Sequence, residues 1–253
     1  MRPLALVLLA ASALVHAERS TPLKPGIEFA GPEVRALQAD DFANPGMLWV
    51  ARGEKQWREP AGTAGKSCAD CHGDAPKTMK GVATRFPRFD TVLARVVNLE
   101  GKINACRERR QEAGRLAPES EELLGLEAYV AHQSRGEAMA VDAHPAINAY
   151  LERGRALYNQ RIGQMNLACT HCHDRNWGKR LLGETISQGH PTAFPAYRLG
   201  WESMGSLARR IRACFYGVRA EMPDYGSPEL LELEVYLAWR AKGLQMEAPG
   251  VRR

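Results

Sequence analysis

The stretch Cys68-Ala69-Asp70-Cys71-His72 recurs, with two residues changed, as Cys169-Thr170-His171-Cys172-His173. Both copies read C-x-x-C-H, which supplies two thiols that can add to the vinyl groups of haem and a histidine that can bind its iron. We therefore expect two covalently bound haem c groups. The attachment residues would be Cys68, Cys71, Cys169 and Cys172, and the proximal iron ligands would be His72 and His173. Zinc is the alternative, but it needs four ligands per site and neither motif has a complete set nearby.

The two remaining cysteines follow the motifs in similar surroundings, Ile103-Asn-Ala-Cys106-Arg107 and Ile211-Arg-Ala-Cys214-Phe215. A thiol at the same place in two haem units predicts that Cys106 and Cys214 are the distal iron ligands. A Cys106–Cys214 disulfide stays open, because spare cysteines often pair in an oxidising compartment. The repeat disfavours this disulfide, because the two domains would have to contact each other at the same place in each repeat.

The surroundings of the motifs repeat as well. Arg52-Gly53 and Arg153-Gly154 precede the two motifs by the same interval, and Phe86-Pro87 and Phe194-Pro195 precede the two later cysteines by the same interval. Matches that stay in register over such a distance indicate an internal duplication. We expect an all-α fold of two tandem cytochrome c-like domains, with domain 1 over 41–132, a linker over 133–145 and domain 2 over 146–253.

Each predicted domain opens and closes with a helix. Apolar residues recur at three- and four-residue spacing over Met47 to Trp57, Ile147 to Tyr158, Glu119 to His132 and Pro228 to Lys242. Gly53 and Gly154 lie inside the opening helices, where glycine costs about 1 kcal/mol relative to alanine. As in the cytochrome c fold, which these features resemble, we expect the first and last helices to cross at these glycines, against Tyr129 and Tyr236.

The start of the chain predicts export. Arg2 precedes an apolar run from Leu4 to Val15, and Val15-His16-Ala17 has the small residues of a cleavage site. We expect a signal peptide over 1–17, cleaved after Ala17, an extended N-terminal extension over 18–40, and a periplasmic protein. The run is shorter than the ~20 residues that span a bilayer, so we expect no membrane span.

Charge gives little indication of a partner. The formal net charge is +5, and four haem propionates would bring the exported holoprotein near neutrality. No basic run is interleaved with aromatic residues, so we expect no nucleic acid partner.

Other residues could serve as distal ligands. Met79, Met204 and Met222 have no methionine counterpart in the other repeat, which favours core or surface positions for them. His190 precedes a proline in a stretch unique to the second copy, which favours a solvent-facing side chain. His132 and His144 have the surroundings of surface or linker residues.

The halves differ one helical turn before the later cysteines, where Arg210 stands in the second half and Lys102 in the first. Residues four apart on a helix share a face. Arginine presents a planar fork of donors suited to oxyanions, whereas lysine is a point charge. This favours an anion site beside Cys214, and we name Arg210 and Cys214 as the candidate catalytic residues.

Cys169-Thr-His-Cys172-His173-Asp174-Arg175-Asn176-Trp177-Gly178, followed by Arg210-Ile-Arg-Ala-Cys214, resembles the SoxA family, the A subunits of the Sox sulfur-oxidation cytochrome complex. The resemblance covers nearly the whole mature chain. It implies a periplasmic enzyme that pairs with a small monohaem cytochrome c subunit, SoxX, and joins thiosulfate oxidatively to a cysteine of the carrier complex SoxYZ. It also implies that Cys214 binds the second haem iron and can carry an extra sulfur as a persulfide.

Two other functions stay open on the sequence. One is a dihaem electron-transfer cytochrome c without sulfur chemistry, for which methionine or histidine ligands are more usual. The other is a thiosulfate dehydrogenase that forms tetrathionate, which can also use a haem with histidine and cysteine ligands.

Overall fold

The computed structural model describes residues 22–140 and 144–253. The predicted signal peptide and its cleavage site lie outside the described residues. The described chain is mostly helical, with these helices in chain order: α1 Pro32–Ala39, α2 Met47–Arg58, α3 Cys68–His72, α4 Ala75–Thr78, α5 Leu99–Cys106, α6 Glu121–His132, α7 Ala146–Asn159, α8 Cys169–His173, α9 Leu207–Gly217 and α10 Pro228–Arg240. A π-helical turn, Arg107–Gln111, continues α5.

Short strands accompany the helices, so the expectation of an all-α fold was wrong in detail. They are β1 Arg88–Asp90, β2 Arg95–Val97, β3 Arg180–Leu181, β4 Glu184–Thr185, β5 Ala196–Arg198, β6 Ser203–Gly205 and β7 Gly250–Arg252. The first two strands form a hairpin, as do the next two, and β5 pairs with β6 antiparallel and β7 parallel. Strands of two or three residues are too short to show the alternation that predicts a strand from sequence.

Glycines allow the long helices of each half to cross closely. A Cβ atom on Gly53 of α2 would lie 1.9 Å from the carbonyl oxygen of Gly125 in α6. A Cβ atom on Gly154 of α7 would lie 2.0 Å from the carbonyl oxygen of Glu232 in α10. The predicted helix crossings are therefore confirmed, and backbone contact explains why glycine stands inside each opening helix.

The sequence predicts an extended conformation for the N-terminal extension, but the structure has two helical elements there. Gly26–Phe29 is a 3₁₀ turn and α1 follows, beginning with Pro32 at a position that tolerates proline. Gln38 accepts a hydrogen bond from the backbone N–H of Val251 at 3.0 Å, which ties α1 to strand β7. This helix has only eight residues and one buried side chain, Val34, which is too short a pattern to predict a helix from sequence.

The predicted linker packs tightly where it is described. The backbone N–H of Met139 donates to the carbonyl of Leu244 at 2.8 Å, and that of Gly136 donates to Met246 at 2.9 Å. Met139 and Met246 lie in one apolar cluster with Trp57 and Tyr129 of the first half. The segment therefore joins the two halves through packing, although small residues and glycine gave it the composition of a loop.

Buried carboxyl groups line a cavity of about 70 Å³ between the halves. Glu100 and Glu127 come from the first half and Glu234 from the second, where it accepts a hydrogen bond from Asn98 at 2.9 Å. Burial, followed by repulsion from Glu234, raises the pKa of Glu100 to about 8. Burial also raises the pKa of Glu234 to about 7. The contact between the halves thus holds protonated carboxyl groups near neutral pH.

None of the helices within the described ranges has both the length and the apolar character needed to cross a bilayer.

Candidate active site

Helices α8 and α9 bring the second motif and Cys214 together. The Nδ1 atom of His171 accepts a hydrogen bond from the backbone N–H of Ala168 at 3.0 Å, which caps the start of α8. Burial, followed by the proximity of Cys214, raises the pKa of Cys169 to about 12 and also raises that of Cys172. All three thiols and His173 therefore share one region, as the sequence predicts.

The ring of His173 is held from behind. Its Nδ1 atom lies 2.8 Å from the carbonyl oxygen of Ser187. With a φ of +73°, Gly189 packs so closely that a Cβ atom there would lie 2.9 Å from Cγ of His173. A ring whose Nδ1–H donates to a carbonyl has Nε2 free as a metal ligand, an arrangement typical of metal-binding histidines.

The Cys214 thiol is acidic in spite of its burial. Burial alone would raise its pKa, but Arg210, a hydrogen bond and charge from His173, and Arg198 outweigh it and lower the pKa to about 7. Half of such thiols would be thiolate near neutral pH, and the thiolate is the form that binds metals and attacks sulfur. The predicted pair of Arg210 and Cys214 is therefore close enough to interact.

Other arginines of α9 are engaged elsewhere. Nη1 of Arg209 lies 3.9 Å from Oε2 of Glu119, and its guanidinium stacks 4.2 Å from the Trp201 ring centroid. Arg212 donates to the carbonyl of Pro223 and lies over the ring of Tyr225. Within the described ranges, no carboxylate oxygen lies within 4 Å of the Arg210 guanidinium, which leaves its charge for an outside anion.

The first motif forms a similar region. Ser67 caps helix α3, accepting the backbone N–H of Asp70 at 3.1 Å, while the Asp70 side chain accepts that of Ser67 at 2.7 Å. The Trp57 ring lies 5.7 Å from that of His72. Burial raises the pKa of Cys68, with a further contribution from Cys106, so Cys106 lies beside its own motif. Cys106 also borders a cavity of about 400 Å³.

The two later thiols differ in acidity. Burial raises the pKa of Cys106; Lys102 opposes this, but Asp90 adds to it. Nζ of Lys102 lies 2.6 Å from Oδ2 of Asp90, so an internal carboxylate balances the lysine charge. Only the second half therefore combines an acidified thiol with a cation that has no carboxylate beside it in the described structure.

The alternative ligands and pairings fare differently. All six cysteines are free, and each later cysteine lies beside its own motif, which disfavours the Cys106–Cys214 disulfide. Met79 and Met204 are core residues and Met222 is exposed, as expected.

The prediction that His190 faces solvent was wrong. Its side chain is only 8% exposed, and its Nε2 atom lies 3.1 Å from Oε1 of Gln188. His144 is exposed and stacks on Phe89, and His132 is partly buried.

Residues that the sequence reasoning missed surround the second motif. Arg240 of α10 donates to Asp174 at 2.6 Å, Tyr158 donates to the same carboxylate at 3.1 Å, and Arg240 also donates to the carbonyl of Gln188 at 3.3 Å. Arg198 of β5 was missed as well. Continuing the repeat alignment three residues beyond Phe194-Pro195 would have found it, opposite Asp90.

The residues fit haem c on the chemistry of the donor set. The second region offers two free thiols for attachment, a histidine with Nε2 available and a thiol that contacts that histidine. The first region offers the same residue types beside a cavity large enough for part of a prosthetic group.

Comparison with known proteins agrees with this chemistry. The family described as SoxA/TsdA, cytochrome c domain, matches residues 52–139. L-cysteine S-thiosulfotransferase subunit SoxA of Pseudaminobacter salicylatoxidans is 42% identical over 89% of this chain and 79% of its own length. The same subunit of Rhodovulum sulfidophilum is 34% identical over 93% of this chain and 82% of its own length.

A solved structure also supports membership of the SoxA family. The crystal structure of SoxXA from P. pantotrophus is similar with a TM-score of 0.87 and 33% identity, over 91% of this chain and 87% of that one. A cytochrome c domain implies haem c. The names of the relatives favour the transferase over a plain electron carrier and over a tetrathionate-forming dehydrogenase. The chain belongs to the SoxA family of L-cysteine S-thiosulfotransferase subunits.

Proposed function

We propose that this chain is the dihaem catalytic subunit that couples thiosulfate to a cysteine of a SoxY-type carrier protein. The coupling joins the carrier thiolate to the sulfane sulfur of thiosulfate, forms one S–S bond and releases two electrons. The electrons pass to a small monohaem cytochrome c partner of the SoxX type. The similarity of this chain to the crystal structure of SoxXA from P. pantotrophus supports the choice of that partner.

When bound, haem c supplies the electron acceptor that the sulfur coupling needs. We assign attachment of haem 1 to Cys68 and Cys71, and attachment of haem 2 to Cys169 and Cys172. His72 with Cys106 would hold the iron of haem 1, and His173 with Cys214 would hold the iron of haem 2. The contact of Cys214 with His173, and the hydrogen bond that leaves Nε2 of His173 available, support the second pair.

The acidified thiol of Cys214 beside Arg210 is the observation that carries the proposal. A thiolate at neutral pH can hold a sulfur substituent and return it, which divides one difficult coupling into two easier steps. Arg210 supplies donors for the sulfonate oxygens of thiosulfate and lowers its repulsion from the carrier thiolate. The first half has Lys102 paired with Asp90 instead, and we infer that haem 1 is structural or relays electrons.

We further propose that the two halves arose by duplication, with domain 1 over 41–132, domain 2 over 146–253 and a junction at 133–145. The matched glycine crossings of α2 with α6 and of α7 with α10 support the duplication. A cleaved signal peptide over 1–17 and a periplasmic location complete the proposal, since haem c is attached outside the cytoplasm.

The test is to co-express the chain with its monohaem partner and incubate the complex with thiosulfate, a carrier protein and an electron acceptor. Mass spectrometry of the carrier should show the cysteine bearing a thiosulfonate group, with two electrons transferred per adduct. Tetrathionate as the product in the presence of carrier, or no carrier adduct from fully haem-loaded protein, would contradict the proposal.

A further inference from the structure

A reversal of charge separates the halves at matched strand positions. Asp90 ends β1 and Arg198 ends β5, each three residues after the proline of a Phe-Pro pair. Lys102 and Arg210 likewise occupy matched places, four residues before Cys106 and Cys214. The first half thus places a carboxylate with an ammonium group, and the second half places two guanidinium groups at the same points.

The consequences for charge are opposite. In the first half, Asp90 and Lys102 form a 2.6 Å ion pair in which the carboxylate is almost fully buried. In the second half, Arg198 and Arg210 occupy the two places that Asp90 and Lys102 fill at 2.6 Å in the first half. The charge of Arg210 lowers the pKa of Arg198, as expected of two neighbouring cations. Two like charges brought together at a partly buried site cost free energy unless an anion joins them.

Arg198 itself has a donor without a partner. Its Nε atom is buried and makes no hydrogen bond to any residue that the structure describes. Its guanidinium lies 5.0 Å from the ring centroid of Trp201, which holds one face of the planar group. Glu184, exposed on β4, is the acid that acts on it most, but the two lie beyond the 4 Å of an ion pair. Arg198 stays protonated near neutral pH, although burial lowers its pKa to about 10.

We propose that Arg198 and Arg210 together form a two-arginine oxyanion site beside Cys214, which binds the sulfonate end of thiosulfate. This rests on the proposed function and adds a second substrate-binding residue to it. Two guanidinium groups balance the two charges of thiosulfate, and their forked donors match the oxygens of a sulfonate better than one arginine can. With its sulfonate bound there, the sulfane sulfur is left to face the thiol.

The same comparison explains why the first half would not bind the substrate. Asp90 occupies the place of one arginine and neutralises the residue in the place of the other. A thiosulfate ion there would meet a buried carboxylate rather than a second cation. The charge at the end of β1 or β5 therefore determines which haem region accepts the anion.

The experiment uses the haem-loaded chain in complex with its monohaem partner and measures thiosulfate binding directly by calorimetry. Arg198→Gln should weaken thiosulfate binding about 10- to 100-fold, as expected for the loss of charge-assisted hydrogen bonds. Arg198→Lys should fall between that variant and the parent. Arg198→Asp should be the weakest, because the new carboxylate can pair with Arg210 as Asp90 pairs with Lys102. Arg115→Gln, which removes an exposed arginine paired with Glu108, is the control and should bind like the parent.

Carrier modification by the same proteins is measured in parallel, with the reduction potential of each haem. Unchanged thiosulfate affinity in Arg198→Gln with a shifted haem potential would overturn the inference, because Arg198 would then be a counter-ion of a haem propionate. Unchanged affinity with unchanged potential would overturn it as well. If the parent binds thiosulfate through Arg198 but never modifies the carrier, the proposed function fails and the binding site stands.

Discussion

The Nδ1 atom of His173 lies 2.8 Å from the carbonyl oxygen of Ser187, in the segment between the second motif and Phe194, which is seven residues longer than the matching segment of the first half. The hydrogen bond fixes the direction of the ring, and the backbone of Gly189 packs against the same ring atoms. The orientation of the proposed iron ligand therefore depends on the loop that carries Ser187 and Gly189.

Gly189→Ala should disturb this ligand while leaving attachment intact. The added Cβ atom would lie 2.9 Å from Cγ of His173, so the ring must tilt or the loop must move. We expect both haems to stay covalently bound, since the attachment thiols are untouched, but the absorption and magnetic resonance signals of haem 2 should change. Spectra of the purified holoprotein check this.

The matched control is Gly178→Ala. That glycine also has a positive φ, +83°, but a Cβ atom there would meet nothing within 4 Å. It should show the cost of backbone strain alone and leave the haem 2 spectrum unchanged. Equal spectral changes in the two variants would show that the contact with His173 is unimportant.

Gly154→Ala should destabilise the second half severely. The new methyl group would lie 2.0 Å from the carbonyl oxygen of Glu232, so α7 and α10 would have to separate. Overpacking of this kind costs about 1–3 kcal/mol or more, and thermal unfolding of the holoprotein should show a lower Tm. Gly114→Ala, where a Cβ atom has open space, should unfold like the parent; a Gly154→Ala variant of parental Tm would mean that the helices do not cross closely.

The buried carboxyl groups predict a pH dependence of stability. Burial raises the pKa of Glu234 to about 7, above its usual value. The contribution of neutral Glu234 to the free energy of unfolding is therefore fully present below the usual glutamate pKa and is lost as the pH rises through about 7. Glu234→Gln stays neutral, so between pH 5 and 8 it should lose less stability than the parent, by on the order of 1–3 kcal/mol.

Denaturant unfolding at a series of pH values measures this difference. Burial lowers the pKa of His132, which gives a slope of the opposite sign, but that slope is common to both proteins and cancels in the comparison. Glu229→Gln, an exposed position on the same helix, should follow the parent. Parallel curves for the parent and Glu234→Gln would refute a buried neutral carboxyl at this position.

Arg210→Lys should retain folding and haem but lose rate. Lysine keeps the positive charge and loses the fork of donors, and removing one donor of this kind costs about 3 kcal/mol of transition-state stabilisation, or a hundredfold or more in rate. Steady-state rates of carrier modification check this, with Arg115→Gln again as the surface control. A rate within a few-fold of the parent would mean that charge alone is sufficient at this position.

The features predicted best from sequence are those that leave a repeated signal. The four long helices and the crossings at Gly53 and Gly154 carry an apolar period or a costly glycine in both halves, and the structure has them. The proximity of Cys214 to its motif follows from the same alignment. Ser227 stands directly before Pro228, an order typical of a helix start, and its hydroxyl accepts a hydrogen bond from the backbone N–H of Leu230 at 3.4 Å.

The features that were missed depend on contacts between distant segments. Helix α1 has one buried residue, and its Gln38 makes its bond to strand β7 at the far end of the chain. His190 is buried although a histidine before proline favours a loop. The proposed role of Arg198 depends on its position at the end of a three-residue strand, where the first half has the carboxylate of Asp90 instead. Local sequence patterns carry no record of the first two relationships, whereas the third is visible in the repeat alignment that pairs Arg198 with Asp90.

The central claim is that sulfur chemistry belongs to Cys214 in the second half and not to Cys106 in the first. The most direct measurement compares carrier modification by Cys214→Met and Cys106→Met, each purified with its partner and shown by mass spectrometry to carry the haem complement of the parent. Both variants keep Cys68, Cys71, Cys169 and Cys172, so attachment should be unaffected. We predict that Cys214→Met forms almost no carrier adduct, whereas Cys106→Met changes the haem 1 spectrum and keeps most of the activity. Normal turnover by Cys214→Met together with an inactive Cys106→Met would contradict the account.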